Sequence, residues 1–158
     1  MKTITPDLQP DARPLRDAGF LWGKPLYEVH AEWEMEYRGI LILARKRYQF
    51  DGASVPRACW GLMGYMPDGL HRAAALAHDI GCEREGILIC GDAIGRPDAP
   101  LVLLGDSTVK PTPDVFAGQM EDHEVHQMFR DILDATQDSR PRKNAMFHFA
   151  VRTFGPRW

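Results

Sequence analysis

The sequence predicts an α+β domain, in which a small antiparallel sheet packs against a bundle of about three to four helices. Apolar residues alternate with polar ones near residue 30, and they recur every three or four residues after residue 120. The chain has 158 residues, of which 44% are hydrophobic, so it is long enough to bury a substantial core. We therefore expect one domain over residues 1–158, with its core in residues 26–82 and 115–155.

The N-terminal segment, residues 1–25, contains four prolines and shows no apolar period. Proline fixes φ and removes a backbone donor, so prolines at this density interrupt both helices and strand ladders. We expect an extended arm that either wraps its own domain or reaches a neighbouring subunit.

Strands are predicted next. The alternating apolar residues of a half-buried strand are Tyr27, Val29, Ala31 and Trp33. Arg38-Gly39 then provides a turn, and the apolar run from Ile40 to Ala44 predicts a second strand that is buried more evenly. Because isolated hairpins are marginally stable, this sheet must pack against the helices that follow.

A tight turn is predicted after the strands, in the stretch from Phe50 to Arg57. Gly52 tolerates a positive φ, and the side chains of Asp51 and Ser54 can bond to nearby backbone amides. Pro56 suits the first turn of a short helix. We interpret these residues as the corner that leads from the sheet to the helices, with catalysis by Asp51 or Ser54 as the alternative.

Three longer helices are predicted from apolar spacing and from their stop signals. The first is an alanine-rich stretch over residues 69–80, with Gly81 as its stop, and the second covers residues 113–136. The third covers residues 142–153, and its predicted inward residues are Ala145, Met146, Phe149 and Ala150.

Residues 83–114 separate the first two of these helices and are interpreted as an insertion. Two strand-like runs, 87–90 and 101–104, are separated by a segment that is rich in glycine and proline. This pattern predicts a long, protruding hairpin.

The candidate site lies where two helices could meet. His78 and Asp79 are neighbours near the end of the alanine-rich helix, whereas Asp122 and His126 share a face of a later helix. Two imidazoles and two carboxylates form a ligand set that suits zinc, manganese or iron. A structural network that satisfies backbone groups, or metal-free acid–base catalysis, would use the same residues. His71 is excluded because it precedes His78 by about 10 Å of helix rise.

The cysteines offer a further alternative, a nucleophile in which Cys59 or Cys82 acts with His78 or His126. The total of three cysteines has no framework spacing and fits a reducing compartment. The apolar neighbours of Cys59 favour a buried, inert thiol. The sequence contains no phosphate-binding loop and no dinucleotide fingerprint, so no nucleotide cofactor is predicted.

The charge pattern bounds the possible partners. A formal net charge of −3 gives no global reason to expect a nucleic-acid or membrane partner. The basic residues near the C-terminus are interpreted as a solvated face. No run of about eighteen apolar residues is present, and the N-terminus lacks the apolar core of a signal peptide.

The order of these motifs resembles an uncharacterised phage-associated family, catalogued as domain of unknown function family 1353. The strand pair, the turn from Phe50 to Arg57, the Ala73–Asp79 run and the helix around Glu124 to Leu133 carry the resemblance. It covers residues 26–82 and 118–155. The resemblance implies a gene of tailed bacteriophages or prophages, often found among tail or lysis genes, and no established activity.

The chain departs from the family pattern at two places. Val125-His126 stands where members typically carry Ala-Asp, and Ile80-Gly81-Cys82 replaces the aromatic segment that usually follows the His-Asp pair. The first change keeps a group that can bind a metal. The arm and the inserted hairpin are additional to the family pattern.

Two functions are expected from these patterns. The first is a structural or accessory protein of a tailed bacteriophage, associated with the tail or baseplate through the arm and the hairpin. Its partners would be other virion proteins or copies of itself, in the virion or the bacterial host cytoplasm. The alternative is a metal-dependent hydrolase of cell wall or phosphoesters, with a divalent ion such as zinc at His78, Asp79, Asp122 and His126. An approach of the His78 and His126 side chains to within about 5 Å favours the second.

Overall fold

The computed structural model describes residues 9–16, 26–52, 71–82, 87–89, 102–105, 116–118, 120–137 and 141–154. Within these ranges the chain forms two sheets and three helices, which is the predicted α+β fold. Ser54, Pro56, Cys59 and the short helix predicted after Pro56 lie outside the described residues.

The first sheet has three antiparallel strands in the order β1-β2-β5. These are β1 (Ala12–Arg16), β2 (Leu26–Val29) and β5 (Gln49–Phe50). β1 belongs to the predicted arm, and its residues Ala12 to Pro14 pair with β2 in regular register. This part of the arm is therefore a strand of its own domain. Pro14 is compatible with the ladder because β1 is an edge strand.

The second sheet has five strands in the order β3-β4-β7-β6-β8. They are β3 (Trp33–Tyr37), β4 (Ile40–Ala44), β6 (Ile87–Ile89), β7 (Val102–Gly105) and β8 (Phe116–Gly118). The β3–β4 hairpin turns at Arg38 and Gly39, whose φ values of 49° and 82° suit a two-residue hairpin turn. β4 and β7 are parallel, so this sheet is mixed and not purely antiparallel as predicted.

Two strand predictions are wrong in detail. The alternation from Tyr27 to Trp33 was expected to form one strand, but β2 ends at Val29 and β3 begins in the other sheet. The alternation continues because apolar residues on both sides of the break are buried in one core, while Ala31 is exposed. β6 and β7 pair with each other as expected, but β7 is buried beside β4 and does not protrude. Residues 90–101, which connect the two strands, lie outside the described residues.

The helices are α1 (Arg72–Cys82), α2 (Asp122–Thr136) and α3 (Pro141–Phe154). α2 begins nine residues later than predicted, after β8, because the backbone N–H of Glu121 is capped by the Glu124 carboxylate at 3.0 Å. None of the three described helices is long and apolar enough to cross a membrane.

α1 is the central helix of the core, and every residue from Ala73 to Ile80 is buried. Gly81 was predicted to end this helix, but it lies inside α1. A Cβ atom at Gly81 would lie 2.8 Å from Cγ1 of Val125, so glycine allows α1 and α2 to approach closely. This contact determines how the candidate site is assembled.

α3 packs through a different face from the predicted one. Met146 and Phe149 were expected inward, but they are 53% and 68% exposed. Ala150 is inward as predicted, together with Asn144, Phe147 and Val151, whereas Ala145 is exposed. Asn144 selects this face because its amide donates to the carbonyls of Leu133 and Gln137 at the end of α2.

Candidate functional site

The packing of α1 on α2 brings His78 and His126 together. Nε2 of His78 lies 3.3 Å from Nδ1 of His126, and the ring centroids are 5.2 Å apart. His78 is completely buried, with its ring also edge-on to Phe129, whereas His126 is half-buried. The two imidazoles therefore meet within the expected distance, with one in the core and one at its edge.

Asp79 points to the corner at the end of β5. The backbone N–H of Asp51 donates to Oδ2 of Asp79 at 2.9 Å, and the backbone of Gly52 makes a further hydrogen bond to this carboxyl group. Gly52 has a φ of 75°, a conformation that glycine adopts without strain. The Asp79 carboxyl group therefore joins α1 to the turn that follows the first sheet.

Burial is the main cause of the pKa shifts of His78 and Asp79. Burial, and then the charge of Asp51, raise the pKa of Asp79 well above its usual value. Burial lowers the pKa of His78 from 6.5 to about 4, and the Asp51 charge opposes this shift. His78 is therefore neutral near pH 7. Its Nδ1 lies 3.6 Å from Oδ1 of Asp79, a contact of a neutral imidazole and not a salt bridge.

A third imidazole, His148 on α3, lies beside this pair. Its ring is edge-on to His126, with centroids 6.3 Å apart, and it makes a hydrogen bond with the His126 backbone. Burial lowers the pKa of both His126 and His148, and each is further lowered by a neighbouring histidine. His148 Nε2 is buried without a hydrogen-bond partner in the described part of the chain. Sequence reasoning missed His148 because it placed Met146 and Phe149 in the core instead of Phe147 and Val151.

Cys82 packs against the ring of His78, its neighbour one turn earlier on α1. Its Sγ atom is 3.5 Å from Nε2 and 3.7 Å from Nδ1 of the imidazole. The hydrogen-bonding directions of the two ring nitrogens diverge. Because the Sγ atom is almost equally distant from both nitrogens, it lies along neither direction. The contact is therefore one of packing, and it lacks the directed thiol–imidazole hydrogen bond that a cysteine nucleophile requires.

The four residues predicted as metal ligands are only partly brought together. His78 and His126 face each other, but the Asp79 carboxyl group accepts hydrogen bonds from the turn. Asp122 is exposed on the first turn of α2, and its charge only partly opposes the lowering of the His126 pKa that burial causes. Within the described ranges, no group of three or more histidine, cysteine, aspartate or glutamate residues is arranged to hold a metal ion.

Comparison with known proteins identifies the family. A family model described as "Protein of unknown function (DUF1353)" matches residues 27–151. The chain belongs to this family. No curated protein and no solved structure was found to match it.

The DUF1353 match can be placed on the structure. It begins at the second residue of β2 and ends within α3, so it includes all the residues of the candidate site. β1 lies before the match, which makes it an addition to the DUF1353 region. The segment from 83 to 114 lies within the matched range, where β7 is part of the buried sheet.

Proposed function

We propose that this protein is a structural or accessory component of a tailed bacteriophage, in which the His-Asp motif stabilises the fold. The burial of the motif carries this proposal, because His78 has no exposed surface and Asp79 is only 8% exposed. A group that transfers a proton to a substrate must come within hydrogen-bonding distance of it. A completely buried imidazole is not positioned to do so.

The contacts of the motif support a structural role. His78 contacts His126 on α2, while Asp79 accepts hydrogen bonds from the turn at Asp51 and Gly52. The adjacent residues thus join α1 to two other parts of the core. Removing one partner of a buried hydrogen bond typically costs about 1–3 kcal/mol, because the other partner stays unsatisfied.

The phage association is supported by the family resemblance. The arm and the hairpin were the expected docking elements, but their described parts, β1 and β7, pair within this chain. These described strands are therefore not free to dock to a virion, and most of the remaining residues of the arm and of the hairpin lie outside the described ranges.

A pair of variants tests the structural role of the motif. Asp79→Asn keeps an oxygen that can accept the Asp51 N–H, whereas Asp79→Ala leaves that donor without its partner. We expect urea denaturation to show a loss of about 1–3 kcal/mol for Asp79→Ala and a smaller loss for Asp79→Asn. Equal stability of the alanine variant and the wild type would contradict the structural role.

Particle composition tests the phage assignment. Purified particles of the phage or prophage that carries this gene would be analysed by quantitative mass spectrometry. The proposal expects a fixed number of copies per particle for a virion component, or copies only in assembly intermediates for an accessory protein. Absence of the protein from both fractions would overturn the proposal.

A metal-dependent hydrolase of cell wall or phosphoesters is the second candidate, favoured by the His78–His126 distance of 3.3 Å. Two imidazole nitrogens bound to one tetrahedral zinc ion are about 3.4 Å apart, given Zn–N bonds of about 2.0–2.1 Å. Two imidazoles alone are fewer than the three protein ligands of catalytic zinc sites. The described residues therefore do not fit a complete zinc site.

Elemental analysis discriminates the two candidates. Protein purified without chelators would be compared with His126→Gln and with His123→Gln, which removes an exposed imidazole from the same helix. If the protein is a zinc-dependent hydrolase, the wild type and His123→Gln should contain stoichiometric zinc, and His126→Gln should lose it. Wild-type protein without stoichiometric metal would remove this candidate.

A further inference from the structure

The outward face of α3 exposes two large apolar side chains. Among the described residues, three large apolar side chains are exposed, and Met146 and Phe149 are two of them. They are three residues apart on one helix, so their side chains are neighbours. The 68% exposure of Phe149 leaves most of an aromatic ring in water, which is unfavourable in a monomer. We call Met146 and Phe149 the apolar patch.

Positive charge flanks the apolar patch. Arg142 and Lys143 lie on one side of it along α3 and Arg152 on the other, and all three are exposed. α3 contains no acidic residue, although the whole chain has a net charge of −3. Within the described residues these three cations have no salt bridge, whereas Arg130 on α2 pairs with Asp134 at 2.6 Å. The charges on α3 are therefore available to a partner.

We propose that this face of α3 is the docking surface of the protein, and that its partner is another protein's segment with an apolar centre and acidic flanks. This inference rests on the proposed structural function and identifies its interface. Protein interfaces are enriched in aromatic residues, methionine and arginine, and exposed apolar anchors bind in partner pockets. Acidic flanks on the partner would complement the charges of Arg142, Lys143 and Arg152.

A second copy of this chain is a poorer partner. A two-fold symmetric contact centred on the apolar patch pairs the same surface with itself. With the two α3 helices antiparallel, Arg142 and Lys143 of one copy would lie near Arg152 of the other. Like charges in such a contact are unfavourable, so the electrostatics select a different, acidic partner.

A membrane surface also fits less well. A helix that lies in a membrane interface inserts a broad apolar face. The main apolar face of α3, which includes Phe147 and Val151, is already buried in the core of the domain. Only the two side chains of the apolar patch remain for insertion, which is far less apolar surface than an interfacial helix inserts.

Photo-crosslinking in cells that produce the particles tests the inference. Phe149 would be replaced by benzoylphenylalanine, with the same probe at the exposed position Ala135 on α2 as the control. After irradiation, mass spectrometry should identify a crosslink from position 149 to one segment of another protein, and this segment should contain apolar residues and a surplus of Asp and Glu. Position 135 should give no such crosslink. A crosslink to this chain, to lipid or to nucleic acid, or a yield no higher than at 135, would overturn the inference.

Substitutions confirm the role of each part of the surface. Phe149→Lys should reduce capture of the crosslinked partner by about tenfold or more while leaving the urea midpoint unchanged, because the ring is exposed. The double change Arg142→Glu and Lys143→Glu should also reduce capture of the partner, and it should weaken the salt dependence of that capture. Unchanged capture by both variants would contradict the inference.

The two proposals fail in different ways. A crosslinked partner in cells, together with absence of the protein from particles and intermediates, would reject the phage assignment and retain the docking surface. Protein in particles without a crosslink from position 149 would reject the docking surface alone.

Discussion

Lowering the pH from 7 to 5 should destabilise this protein because His78 is buried in its neutral form. The folded-state pKa is lowered from 6.5 to about 4. Between these values the unfolded chain binds a proton at His78 that the folded chain does not, so stability falls as the pH decreases through this window. The full window corresponds to about 3.4 kcal/mol, and about 2 kcal/mol is lost by pH 5.

Other buried groups near His78 also change the stability with pH, some in the same direction and one in the opposite direction. His126 and His148 also have lowered pKa values, so they too remove stability as the pH falls below their unfolded values. Asp79 has a raised pKa, and its contribution has the opposite sign, because protonation as the pH decreases favours the folded state. The wild-type curve is the sum of these contributions, so a variant is needed to isolate His78.

The assay is urea denaturation at pH 7 and pH 5 for the wild type, His78→Gln and His123→Gln. Between pH 7 and pH 5, His78→Gln should lose at least about 2 kcal/mol less stability than the wild type, because it lacks the buried imidazole. The value is a minimum because His78 also lowers the pKa of His126, and the variant removes that contribution as well. His123→Gln makes the same substitution at an exposed imidazole of α2, which contacts Glu121 at 3.1 Å, and controls for the chemical change itself. The same loss in His78→Gln and the wild type would refute the reasoning.

Three further substitutions test the packing around the site, each by urea denaturation. Gly81→Ala should cost about 1–3 kcal/mol, because its Cβ would lie 2.8 Å from Val125, a side chain with little rotamer freedom in a helix. Asn144→Ala should cost about 1–3 kcal/mol, because it removes the buried amide that donates to the Gln137 carbonyl and, beside the Gln137 N–H, to the Leu133 carbonyl. Tyr37→Phe should cost about 0.5–1.5 kcal/mol, because the hydroxyl donates to the Asp131 carboxylate at 2.6 Å.

Matched controls make these predictions specific. In a Val125→Ala background the cost of Gly81→Ala should fall, and an unchanged cost would show that helix contact is not its cause. Asn144→Asp has a similar shape but lacks the amide donor, so it should be no better tolerated than alanine. For Tyr37→Phe, an equal loss in an Asp131→Ala background would show that the hydrogen bond is not the source.

Local signals predicted several features of the fold correctly. Arg38-Gly39 marks the β3–β4 turn because both residues adopt positive φ there, a conformation in which glycine is favoured. The apolar residues at steps of three and four along α2 face the core, as Val125 and Phe129 show. In each case the determining interaction is between residues close in sequence, so the sequence pattern is sufficient.

Long-range contacts explain the features that were not predicted. The parallel pairing of β4 with β7 depends on residues about sixty positions apart, and no local pattern specifies it. Gly81 looks like a helix stop until Val125 is seen to occupy the space of its side chain. The buried face of α3 includes the polar residue Asn144, so apolar spacing alone selected the wrong face.

The geometry of an α-helix explains how the His-Asp pair should be interpreted. Successive residues on an α-helix are rotated by about 100°, so adjacent side chains leave the helix in different directions. His78 points to α2, whereas Asp79 points to the turn at Asp51. An adjacent pair in the middle of a buried helix is therefore suited to join two different neighbours. It follows that substitutions at Asp51 and at His126, which act on opposite sides of α1, should be coupled through these two residues.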